Sequence, residues 1–156
     1  MKTDDQTIGT LNDLIRINND RMEGYEKAIK EAAGSPDLVT TFSEYSNQSR
    51  RYSSELRRIV TSLGGEPSES TTISGKIYRI WMDMRSAISS SERSSALDLS
   101  EYGEDAAQKA YREALKDAAY MPADILATIT LQKTELKQAH DTIKRLRDQQ
   151  HAMEKR

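Results

Sequence analysis

A few polar side chains interrupt apolar stripes that otherwise repeat at helical spacing, and their types decide what chemistry is open to the chain. Asn18 falls midway between Leu11 and Tyr25, Ser49 and Tyr52 lie between Tyr45 and Leu56, and Glu104 falls midway between Leu97 and Tyr111. Gln132 lies between Ile129 and Leu136, and His140 stands one turn beyond Leu136. Such spacing puts each polar group on the same face as its apolar neighbours. Asn18, Tyr25, Ser49, Tyr52, Glu104, Tyr111, Gln132 and His140 are therefore expected to meet in one buried polar layer. A buried polar group is costly unless it finds a partner. One resolution is a hydrogen-bonded layer that fixes helix register, with Glu104 held by His140 or a tyrosine hydroxyl. The other is a carboxylate-bridged metal site.

The metal reading demands more than the sequence offers. A dinuclear iron or manganese centre in a bundle takes a Glu from each of two helices and a Glu-x-x-His pair from each of the others. No Glu-x-x-His occurs here: Lys137 stands three residues before His140, and His151 lies near the C-terminal end. One inward Glu and one His cannot hold two cations. No catalytic residue, cofactor or metal is therefore expected, with iron or manganese on Glu104 and His140 as the alternative. A radical role for the inward tyrosines Tyr25, Tyr45, Tyr52 and Tyr111 would need a redox metal, so core packing is their expected role. No Ser pairs with a His and an acid at readable spacing, which removes support for nucleophilic hydrolysis.

The elements that must position these residues are helices. Periodicity predicts main helices over 10–33, 36–63, 92–119 and 122–150, with a shorter one over 73–88. Gly34-Ser35-Pro36 separates the first two, Gly34 suiting a left-handed cap, Ser35 an N-cap and Pro36 a helix start. Gly64-Gly65-Glu66-Pro67 stops the second, and Pro122 opens the last. The short first connection implies an antiparallel hairpin, and the polar stretch 64–72 reads as an exposed connection. Residues 151–156 are expected to fray. The layout is two hairpins joined by a long crossover, all in one domain over 1–156. On the short helix, Ile77, Ile80, Trp81 and Met84 either cover the bundle's side or form a homodimer interface.

Composition agrees with that plan. The chain has 156 residues, 36% of them hydrophobic and 31% charged, with 7 Gly and 3 Pro, which is too few for a many-turned β fold. A formal charge of −2 leaves no basic excess for a nucleic-acid partner. Cysteine is absent, which removes thiolate chemistry and fits a reducing compartment. The polar start and the lack of a roughly 20-residue apolar run give no sign of a signal peptide or membrane span, so a cytoplasmic address is expected. The Arg50-Arg51 and Arg57-Arg58 strip reads as a solvated face.

Several separated motifs then resemble a bacterial ferritin-like four-helix-bundle family of unknown function, related in fold to ferritins and rubrerythrins. They are Leu11-Asn12-Asp13-Leu14-Ile15 with Asn18-Asn19-Asp20 and Gly24-Tyr25-Glu26, Leu63-Gly64-Gly65-Glu66-Pro67, and Trp81-Met82. Gly103-Glu104-Asp105-Ala106-Ala107 with Tyr111, and His140-Asp141 with Leu146-Arg147-Asp148, continue the likeness. The resemblance implies a metal-glutamate position at Asn18, a Glu-x-x-His position at Ser49 and Tyr52, and a third-helix glutamate at Glu104. It sets His140 on the fourth-helix histidine and Lys137 where the accompanying glutamate belongs. Only Glu104 and His140 keep the ligand type. The expected function is thus a non-catalytic, ferritin-like bundle acting through self-association as a homodimer or through protein interaction, in a stress-related setting. The alternative is a metal-binding oxidoreductase or iron-storage protein with a non-standard ligand set.

Overall fold

The computed structural model describes residues 2–32, 34–71 and 93–154. Among them are four α-helices, a single 3-10 turn and no strand: α1 (Lys2–Glu31), α2 (Pro36–Ser62), α3 (Arg93–Leu115), the turn Ala118–Tyr120, and α4 (Ala123–Glu154). The short helix expected over 73–88, with Ile77, Ile80, Trp81 and Met84, lies outside the described residues.

Local chemistry sets the ends. Asp4 and Asp5 sit in the first turn of α1 and Lys30 in its last, each sign placed to favour the helix dipole. The helix begins at Lys2 and not at Thr10, and its early turns bond the segment that follows α3. Thr10 Oγ1 donates to Asp117 at 2.9 Å and Thr7 Oγ1 to the Tyr120 carbonyl at 3.3 Å. Pro36 opens α2, as its fixed φ allows, but the hydroxyl of Ser35 makes no capping bond. Gly34 does not take the left-handed conformation expected of it; that conformation occurs at Gly64, with φ 83°. There the Gly65 N–H bonds the Val60 carbonyl and the Gly64 N–H bonds that of Thr61, each at 3.0 Å, closing α2 in a Schellman motif. Gly65 leaves room for α1: a Cβ there would meet Ile8 Cδ1 and Cγ2 at 2.9 Å, so the Ile8 side chain would have to shift.

Two expectations for the C-terminal half change. The third helix stops at Leu115, where the chain tightens into the 3-10 turn before Pro122. The fourth does not fray at His151, since it runs on to Glu154 and His151 Nε2 lies 3.1 Å from Asp98.

Side-chain partners give the relative directions. Numbers fall on α2 as they rise on α1, since Ser53 bonds Asn19 and Ser46 bonds the Met22 carbonyl. They fall on α3 as they rise on α1, through Asn18–Tyr111 and Arg21–Glu104. They fall on α4 as they rise on α3, through Glu101–Arg147, Asp105–His140 and Tyr111–Gln132. Residues 64–71, expected to be an exposed connection, run along α1 with Gly64, Glu66 and Glu69 exposed and Gly65, Pro67, Ser68, Ser70 and Thr71 half-buried. Asn12 bonds both the Glu66 carbonyl and the Ser68 N–H, and Asn19 bonds the Ser70 carbonyl at 2.9 Å.

The apolar interior comes in two parts. One gathers Leu11, Leu14, Ile15, Leu56, Val60, Tyr111 and Ile129; the other gathers Tyr25, Leu38, Phe42, Leu97 and Ile143. What separates them is the polar layer. Among the described residues, no helix is long and apolar enough to cross a membrane.

Candidate functional site

Arg21 is the centre of that layer. It stands one heptad from Leu14 and from Ala28, so the stripe that buries those residues carries its guanidinium into the interior, where its exposure is 0%. Nε donates to Glu104 Oε1 at 2.5 Å and Nη2 to Glu104 Oε2 at 3.0 Å, a two-point pairing of planar groups. Nη1 donates to the Tyr45 carbonyl at 3.1 Å and to Ser49 Oγ at 2.8 Å. The rings of Tyr25 and Tyr45 lie 5.4 and 5.3 Å from the guanidinium carbon, within cation–π reach. Burial opposes the charge on Arg21, but the Glu104 carboxylate outweighs it and holds the guanidinium above its ordinary pKa.

From Ser49 the bonds continue through the other helices. Ser49 Oγ donates to Asn18 Oδ1 at 2.9 Å, Asn18 Nδ2 to the Tyr111 hydroxyl at 2.9 Å, and that hydroxyl to Gln132 Oε1 at 2.6 Å. Arg21 and Asn18 come from α1, Ser49 from α2, Glu104 and Tyr111 from α3, and Gln132 from α4, so one chain of hydrogen bonds ties all four helices. Gln132 Nε2 has no partner among the described residues.

The sequence-derived layer is thus partly assembled and partly corrected. Asn18, Ser49, Glu104, Tyr111 and Gln132 meet in it. Tyr25 is buried on its margin, between the guanidinium and Phe42. Tyr52 is buried, but its hydroxyl leaves the layer and donates to Glu135 on α4 at 2.6 Å. His140 is not a member. Its neighbour Ala139 takes the inner position, one heptad from Gln132, and His140 is turned about 100° away. There its Nε2 faces Asp105 at 2.5 Å and its Nδ1 faces Asp141 at 3.1 Å. Glu104 is accordingly held by Arg21, not by a histidine or a tyrosine, and Glu104 and His140 do not form a ligand pair. Arg21 escaped the sequence reading. Its signal is the heptad Leu14–Arg21–Ala28, which the usual exposure of a helical arginine masks.

Burial raises the pKa of Tyr25, Tyr45, Tyr52 and Tyr111, with the charge of Glu104 adding at Tyr25 and the Glu135 hydrogen bond adding at Tyr52. Each prefers its neutral form in the fold. The unfolded chain releases these protons near pH 10 while the folded chain still holds them, so the unfolded state then binds fewer protons and stability falls. The urea midpoint is expected to show no tyrosine-linked change below about pH 10 and to drop above it. Tyr111→Phe should make that alkaline drop shallower; an identical profile would remove Tyr111 from the explanation.

Across its described residues the protein is all-helical, its helices tied by an internal polar layer. The chain belongs to the domain-of-unknown-function family DUF2383, whose profile matches residues 6–117. That span holds Asn18, Arg21, Ser49, Glu104 and Tyr111 and leaves Gln132 and His140 on α4 outside it. A comparison with curated proteins returned no match.

Proposed function

We propose that the chain is a bacterial, cytoplasmic, ferritin-like bundle of two antiparallel hairpins joined by a single crossover, and that it acts by association without catalysis. The helix directions support the topology. Arg93, which opens α3, pairs with Asp37 at the start of α2, while α2 ends beside Ile8 on α1. Those ends are separated by the length of α2, about 40 Å at 1.5 Å per residue, so the connection must travel the length of the bundle. Residues 64–71 already rise along α1 in that direction.

The observation that carries the non-catalytic reading is the pairing of both Glu104 oxygens with Arg21. At the positions that a ferritin-like resemblance sets against metal ligands, the layer offers Asn18 and Ser49, with no charge, and Glu104, already neutralised. A fixed guanidinium repels a cation at the same place. This donor set does not fit a dinuclear centre. A registry role suits it better, since such a layer favours the packing in which its polar groups find partners, as all but Gln132 Nε2 of those described in it do.

Association as a homodimer has support in apolar side chains left exposed, among them Leu131 on α4 at 59% and Met153 at 66%. Untagged protein, subjected to elemental analysis and sedimentation at tens of micromolar, is expected to be a dimer carrying neither iron nor manganese in stoichiometric amount. A monomer would sink the association reading. Near-stoichiometric iron or manganese, lost on Glu104→Ala, would replace the non-catalytic reading with that of a metal-dependent oxidoreductase or iron-storage protein.

A further inference from the structure

We propose that Glu101, Asp105 and His140 form a mononuclear site for a divalent transition-metal cation on the outer face of the α3–α4 pair. Glu101 and Asp105 are one turn apart on α3 and so share a face, and α4 brings His140 against both. One donor atom from each of the three lies within 4.8 Å of the others. Donors at about 2.1 Å from an ion stand about 3 Å or more apart, so the His140–Asp105 pair, now at 2.5 Å, need part only slightly to admit one.

The histidine sets this group apart from an ordinary acidic patch. Both its ring nitrogens face carboxylates, Nε2 toward Asp105 and Nδ1 toward Asp141. A neutral imidazole donates from only one nitrogen and so cannot donate to both carboxylates. With a cation on Nε2, the Nδ1–H donates to Asp141, and the carboxylate orients the ring as histidine ligands are commonly oriented.

Local charge favours the same occupant. The contacts join four carboxylates, Glu101, Asp105, Asp141 and Asp148, to two permanent cations, Lys137 and Arg147. With neutral imidazole that leaves two negative charges, which a divalent ion balances. Two carboxylates and an imidazole suit Zn²⁺ or Co²⁺, with water in the remaining positions. Glu101 is nine-tenths buried and paired with Arg147, so Arg147 competes with the ion for it. The site is separate from the Arg21–Glu104 layer and does not depend on the reading of that layer.

The test uses untagged full-length protein titrated with Zn²⁺ by calorimetry and with Co²⁺ by visible absorption. One equivalent of Zn²⁺ is expected to bind on the order of micromolar, with Co²⁺ giving ligand-field bands from the same site. His140→Ala and Asp105→Asn change side chains at the bundle's outer face and should weaken uptake by about tenfold or more. His151→Ala, which removes the other histidine, should leave uptake unchanged. Arg147→Gln should tighten it by releasing Glu101. No saturable uptake below about 1 mM, uptake indifferent to His140→Ala, uptake lost in His151→Ala, or unchanged or weaker uptake in Arg147→Gln would each overturn the three-ligand site.

Discussion

Arg21→Met, made alone, is expected to lower the unfolding free energy by about 3–5 kcal/mol. The cost does not come from the lost ion pair as such, because two charges brought out of water recover little net energy by meeting. It comes from what stays behind. Glu104 is 1% exposed, and without the guanidinium its carboxylate sits in the interior with no counter-charge among its observed partners. The double variant Arg21→Met/Glu104→Leu removes both charges and keeps apolar volume, and such replacements are often neutral or stabilising. It is therefore expected to recover most of the loss. Urea unfolding followed by helical circular dichroism measures both, with an unchanged slope showing that the unfolded state has not been altered. A double variant as unstable as Arg21→Met would mean that hydrogen bonds to Ser49 and Tyr45, not the stranded carboxylate, set the cost.

The same residue shows where sequence reasoning reached and where it failed. Apolar periodicity is a local property, so Leu11, Leu14 and Ile15, or Phe42, Tyr45 and Leu56, disclose their helices without any knowledge of neighbours. The inward Asn18, Ser49, Glu104 and Gln132 could be read the same way, as gaps in those stripes. Their partners could not, because pairing depends on which helix lies opposite. His140 followed Leu136 by four, an inward spacing, but Ala139 followed Gln132 by seven, and the smaller residue took the interior. Nothing local marks the roles of Asn12 and Asn19, because their partners, the backbone of Glu66, Ser68 and Ser70, reach α1 only when the segment after α2 turns back. Tertiary pairing, not propensity, decided each of these cases.

Phe42→Ala is expected to cost about 3–5 kcal/mol, the range for emptying a fully buried aromatic position. The ring is 0% exposed and packs on Tyr25 at 5.1 Å between centroids; Tyr25 in turn lies 5.8 Å from Tyr45. These tyrosines are the rings that face Arg21, so the aromatic group is the floor on which the charged layer rests. Removing Phe42 lets Tyr25 shift and opens a path for water toward Glu104. In that background the carboxylate stranded by Arg21→Met is partly hydrated, so the two losses should sum to less than their separate values, with a coupling of about 0.5–3 kcal/mol. Leu11→Ala makes a comparable cavity in the other apolar cluster, about 15 Å along α1 from Arg21 at 1.5 Å per residue. Its loss should add to that of Arg21→Met within about 0.5 kcal/mol. If Phe42→Ala proved as additive as Leu11→Ala, the aromatic floor would not be what keeps water from the buried pair.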